Sequence, residues 1–207
     1  MIETFHGFIE TTQDALLIFE ACRRNILPKI ARRLLEKERK MVRSGSVFVF
    51  DQRESGIKRW TDGLAWSPSR ILGNFLIYRE LDKAHSKRNN NIKRPSTPYN
   101  VEDAKQSTKE RQLVGSLSEA YHFRKDGLIK KTISLVLNGN PLHLISYYHP
   151  DDVLDRRLRT PSAVPELVNL EISPDLLNIQ NFRIPPMIEP EQQQQPYTND
   201  TGKRKIK

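Results

Sequence analysis

Between positions 58 and 70 of this 207-residue chain stand Lys58, Arg59, Thr61, Asp62, Ser67, Ser69 and Arg70. Ammonium and guanidinium groups interleaved with hydroxyls are the donors that hold phosphate oxygens and read base edges. Both tryptophans of the chain, Trp60 and Trp66, fall in the same short span. Large aromatic bodies packed against a core would form a rigid frame from which the polar groups project. Gly63 follows Asp62, a pairing that favours a turn with positive φ. The chemistry expected of Ser55–Tyr78 is therefore anion binding on a fixed loop.

Other chemistry finds little support. His122, His143 and His149 lie on or beside expected strands with no nucleophile pattern around them. Neither G-x-x-x-x-G-K-[ST] nor G-x-G-x-x-G occurs. A catalytic role is not expected, nor is a cofactor or a small-molecule substrate. Cys22 is the single cysteine, so an intramolecular disulfide and a cysteine-based zinc site are excluded. His6 and Cys22 have no ligand spacing, and no metal site is expected. No run approaches the ~20 apolar residues of a membrane span, and a reducing compartment suits the lone thiol.

The net charge is +9, and the positive balance lies in the first 150 residues. Such a distribution suits a polyanionic partner. Three functional classes fit it. One is a duplex-DNA reader. A second is an RNA or single-strand binder using exposed aromatics on a sheet, for which Tyr147-Tyr148-His149 offers a stacking platform, although two tyrosines at a strand end more often cap a core. The third is a module that binds acidic proteins.

The elements that must position the loop read as an α+β domain. Thr4–Ile9 suits a first strand. Thr11 and Asp14 have capping-box spacing, and Ala15, Ile18, Phe19 and Cys22 form the stripe of an amphipathic helix through about Arg24. Lys29–Arg43 carries Arg32, Arg33, Arg39, Lys40 and Arg43 beside an apolar side, and is expected to be partly helical. Its cations are either a solvated face or phosphate contacts. Ser46–Phe50 reads as a strand and 52–56 as a turn, with Ile57–Trp60 returning as the second strand of a hairpin. Ser67-Pro68 has the form of a helix start, and Phe75–Tyr78 suits a further strand. Residues 82–112 hold an Asn triplet, two prolines and many cations, the composition of a flexible insertion. Strands are expected again at Tyr121–Phe123, Leu128–Leu137 and Leu142–Tyr148, with a hairpin turn at Asn138-Gly139. Lys131 interrupts the apolar face of its strand. The strand end either leaves the core and offers Lys130 and Lys131 to a ligand, or frays in solvent. Pro150–Leu158 suits a short helix, and residues 173–207 read as a low-complexity tail ending in a basic cluster, Lys203–Lys207, similar to a nuclear-import signal.

The run SGSVFVFDQRESGIKRWTDGLAWSPSRILGNFLIYREL (44–81) resembles the first signature block of the WOPR-domain family of fungal transcription regulators of morphology and cell state. The run GSLSEAYHFRKDGLIKKTISLVLNGNPLHLISYY (115–148) resembles the second block. The resemblance implies sequence-specific binding of double-stranded DNA by one domain built from both blocks, in the nucleus, alongside transcription co-regulators. The expected organisation is one domain over 1–172, with block one at 1–81, block two at 113–172 and a variable spacer between them. Arg32, Arg33, Arg43, Lys130 and Lys131 would hold phosphates beside the loop's contacts. Lys58 and Arg59 also precede Thr61 in a pattern that basic-directed kinases accept. The resemblance places a proposed kinase-target threonine at this position.

Overall fold

The computed structural model of the chain describes residues 3–82, 113, 121–178 and 182–186. The bulk of the expected insertion (83–112) and the basic end of the tail lie outside the described residues. Six antiparallel strands form one sheet: β1 (Phe5–His6), β2 (Ser46–Asp51), β3 (Arg70–Leu72), β4 (Phe75–Arg79), β5 (Ile129–Leu137) and β6 (Asn140–Tyr148). Their spatial order is β1-β2-β6-β5-β4-β3. The two block-two strands therefore occupy the centre, flanked on each side by strands of block one. Val49 lies opposite Leu144, and Ile77 opposite Lys131. Neither block closes a sheet by itself, because each supplies the pairing partner that the other lacks.

Side-chain alternation in the strands divides the core between two faces. On one face Val47, Val49, Ile133, Leu135, Leu142 and Leu144 pack under helix α1 (Thr12–Arg23). The expected cap is present: the Thr11 hydroxyl accepts from Asp14 N at 3.1 Å, and the Asp14 carboxylate accepts from Thr11 N at 3.0 Å. Cys22 is buried in this layer, and burial pushes its thiol up to about 12. On the opposite face Phe48, Phe50, Ile145 and Tyr147 pack under Ile30, Leu34, Ile57, Trp60 and Trp66. The second layer is made mostly of irregular chain, and it carries the cationic loop.

Several elements differ from the sequence-based expectation. Ile57–Trp60 is not a strand: β6 pairs along one side of β2, and on the other side β1 takes Ser46 and Val47 while Thr4 Oγ1 and Ile30 N engage the backbone of Val49. Instead Asp51 caps a single helical turn, α3 (Gln52–Ser55), accepting from Arg53 N at 2.7 Å and Glu54 N at 3.1 Å, and Gly56 ends it at φ 67°. Ser67-Pro68 starts no helix. Ser67 is drawn to β4, donating its N–H to Arg79 O at 2.9 Å and accepting from Arg79 N at 3.1 Å. In 29–43 only Glu36–Arg39 (α2) is helical, since Ile30 N is engaged by Val49 O at 2.7 Å and holds the approach extended. The helix after β6 stops at Leu154.

Part of the segment beyond 173 packs against the domain. Pro174–Asn178 is helical, Leu176 is fully buried, and Asn74 exchanges two hydrogen bonds with the Ile184 backbone at 2.7 and 3.0 Å. The Asn138-Gly139 turn has φ of 50° and 74°, the paired positive values of a tight hairpin turn. Among the described residues no helix is long and apolar enough to cross a membrane, and no three metal-binding side chains gather.

Candidate nucleic-acid interface

Asp62 is the anchor of the cationic loop. It is 5% exposed, and its carboxylate takes hydrogen bonds from Tyr147 Oη at 2.7 Å, Trp66 Nε1 at 3.0 Å, Leu64 N at 3.0 Å and Lys130 Nζ at 3.3 Å. Burial works against its charge, but Lys130, Tyr147, Trp66 and the Leu64 amide together outweigh that effect. They hold its pKa below the ordinary aspartate value. Trp60 Nε1 donates to the same Tyr147 hydroxyl at 2.6 Å, and its ring stacks on Phe50 with centroids 5.5 Å apart. Gly63 follows at φ 76°, a value at which a side chain would be strained.

Pinned at Trp60 and Asp62, the chain leaves Lys58, Arg59 and Thr61 exposed between the pins. None of these three side chains has a hydrogen-bond or ion-pair partner among the described residues. Ser69 is exposed, and Arg70 is half-buried with Nη1 donating to Ser69 O at 3.1 Å. The structure thus brings Lys58, Arg59, Thr61, Ser69 and Arg70 to one surface stretch framed by the two tryptophans. A carbon added at Gly63 would stand 3.7 Å from Arg39 Cδ, so the α2 segment lies against this loop and adds Arg39 to its margin.

Other expected contacts are placed differently. Asp62 and Ser67 face inward, 5% and 3% exposed. Lys131 is 4% exposed and does not leave the core: its ammonium donates to Ile9 O and Glu10 O at 2.8 Å each and lies 4.0 Å from the Phe75 ring centroid. Its strand stays paired to the end, with Ile129 opposite Tyr148. Lys130 has a 12% exposed side chain, ion-paired with Asp62 and 4.3 Å from the Trp66 ring centroid. Burial lowers its pKa, and Asp62 opposes that shift. Arg32 is exposed but already doubly bonded to Glu38, at 2.8 and 3.0 Å. Arg33 and Arg43 are exposed and carry no side-chain partner among the described residues.

The stacking platform is absent from the surface, since Tyr147 is 0% and Tyr148 1% exposed. Their burial agrees with the core-capping role that two tyrosines at a strand end suggest, but the partner of Tyr147 was not legible in the sequence. That partner, Asp62, lies 85 positions away, and no local pattern announces the pairing.

Residues 4–149 match the Gti1/Pac2 family. Over 209 residues the chain is 42% identical to the global transcription regulator sge1 of Gibberella fujikuroi, covering 88% of this chain and 63% of that protein. It is 38% identical over 190 residues to the cAMP-independent regulatory protein pac2 of Schizosaccharomyces pombe, covering 83% and 80%. Among solved structures it is similar to the WOPR domain of Wor1 from Candida albicans in complex with a 13 bp double-stranded DNA. The TM-score is 0.61 at 35% identity, covering 85% of this chain and 94% of that one. The chain spans less than two thirds of the length of the sge1 relatives it matches.

Proposed function

The chain belongs to the Gti1/Pac2 family, and we propose that it is a sequence-specific reader of double-stranded DNA that regulates transcription in the nucleus. The observation that carries this reading is the loop itself. Lys58, Arg59 and Thr61 are exposed and unpartnered among the described residues, on a segment immobilised by Trp60, Asp62 and Trp66. Rigidly aimed cations and hydroxyls suit groove contacts, whereas mobile ones suit only non-specific attraction. The likeness to a domain solved with duplex DNA supports the same partner here.

In this reading Arg59 contacts base edges, with Thr61, Ser69 and Arg70 beside it. Lys58, Arg33 and Arg43 hold phosphates. The domain spans both blocks and the packed segment to about residue 186, and transcription co-regulators join it on the DNA. Phosphorylation of Thr61 adds about −1.5 to −2 charge at the contact surface and opposes binding. Burial of Tyr147 and Tyr148 disfavours the single-strand alternative, which needs those rings exposed.

Selection from a random duplex library tests the proposal. A shared motif should emerge, and excess poly(rU) or single-stranded DNA should leave the complex intact. Displacement by single strands, with no enriched duplex, would overturn it.

A further inference from the structure

We infer that Tyr147, a residue of the central strand β6 that touches no surface, is a positioning residue that sets DNA site discrimination by aiming Arg59 and Thr61. The inference rests on the duplex-reading proposal above. It is carried by one hydroxyl with two duties. Tyr147 Oη accepts from Trp60 Nε1 at 2.6 Å and donates to Asp62 Oδ2 at 2.7 Å.

Those partners flank Thr61 on either side, and Arg59 immediately precedes the first of them. In this stretch inward and outward residues alternate: Arg59 and Thr61 are exposed, while Trp60 is half-buried and Asp62 buried. Fixing positions 60 and 62 to the same atom removes the rotation by which 59 and 61 would otherwise sweep across the surface. The Tyr147 ring is itself held between Phe48, at a centroid distance of 6.2 Å, and Trp66, at 5.9 Å. The pin is therefore part of the sheet core. Block two thereby controls the geometry of contacts made by block one without meeting the DNA. Non-specific attraction does not need this geometry, because phosphate neutralisation depends on charge and tolerates many orientations. Base readout does, because bidentate hydrogen bonds fail outside narrow limits of distance and angle.

Tyr147→Phe keeps the ring and removes the hydroxyl. Two readouts are taken well below the melting temperature. The first is the affinity ratio between the library-selected duplex and a scrambled duplex. The second, without DNA, is acrylamide quenching of Trp60 and Trp66, the chain's two tryptophans and both within the loop. Ile145→Val, which trims the same apolar cluster away from the hydroxyl, controls for lost stability.

The expected result for Tyr147→Phe is a ratio reduced about tenfold, as loss of a buried hydrogen-bond partner warrants. Scrambled-duplex affinity and salt slope stay unchanged, and quenching rises. Ile145→Val should leave the ratio and the quenching as in wild type. Trp60→Phe, which removes the donor at one end of the same pin, should reduce the ratio, and combined with Tyr147→Phe it should fall short of the product of the two effects. A wild-type ratio in Tyr147→Phe, a parallel loss on both duplexes, or an equal loss in Ile145→Val would overturn the positioning role alone. A wild-type protein that prefers no duplex would overturn the DNA reading and the inference with it.

Discussion

Arg59 and Thr61 are exposed and unpaired among the described residues, while Asp62, one position on, takes hydrogen bonds from four groups. Neighbouring residues of similar polarity thus have opposite duties, and substitution separates them. Asp62→Ala leaves the Lys130 ammonium buried without its counter-charge, a change of about 3 kcal/mol. For a domain of this size that lowers the melting temperature by about 6–12 °C, measurable by thermal denaturation. Thr61→Glu should melt as wild type does and bind duplex weakly, because its charge would stand on the exposed side of the loop and not in the core. Acid exposes a second consequence. Asp62 and Glu38 both have folded pKa values below their ordinary ones, Glu38 at about 2 through Arg32 and the Leu35 amide. A carboxylate with a depressed folded value contributes stability that is complete above its unfolded pKa and is lost as pH falls through the folded one. Stability should therefore fall progressively from about pH 5 toward pH 2. Arg32→Met should remove the Glu38 share, so that the variant is less stable than wild type at neutral pH and the gap closes in acid.

At the scale of elements, strands and turns with local signatures were legible in the sequence. The Thr11–Asp14 box, the β2 run, the β5–β6 hairpin and its Asn-Gly turn all follow from spacing and residue type, because each is fixed by neighbours a few positions apart. Gly139→Ala, at φ 74°, should cost about 1–2 kcal/mol, read as a lowered denaturation midpoint with the DNA motif unchanged. What could not be read were choices made by distant chain. Ile57–Trp60 has strand composition, but β6 takes one side of β2, and β1, Thr4 and Ile30 engage the other from Ser46 to Val49. Lys131 breaks an apolar alternation, and only the fold brings the Ile9 and Glu10 carbonyls to its ammonium from more than 120 positions away. The same holds at the site: the exposed positions Lys58, Arg59 and Thr61 were legible from residue type. The inward turn of Asp62, Ser67 and Lys130 depends on Tyr147, Arg79 and Trp66.

Across the whole molecule, interleaving of the blocks makes folding and binding one property. Block-two strands pair with block-one strands on both sides, Val47 with Ser146 and Leu76 with Thr132. Residues 1–81 and 113–186 produced separately should each expose one sheet face and show no cooperative melt, while co-expression restores both the melt and duplex binding. A cooperative transition in either piece, seen by calorimetry, would contradict the shared sheet.

The interleaved sheet exists, on this account, to hold the exposed loop cations still against duplex DNA. Binding of wild type and Arg59→Ala to the selected and scrambled duplexes across a salt series tests that most directly, with Lys130→Ala alongside. Arg59→Ala should keep its melting temperature and lose about 1–3 kcal/mol on the selected duplex, relaxing discrimination. Lys130→Ala should leave the salt slope unchanged, because its ammonium is largely buried and paired with Asp62. A stable Arg59→Ala protein that still selects its site would contradict the account.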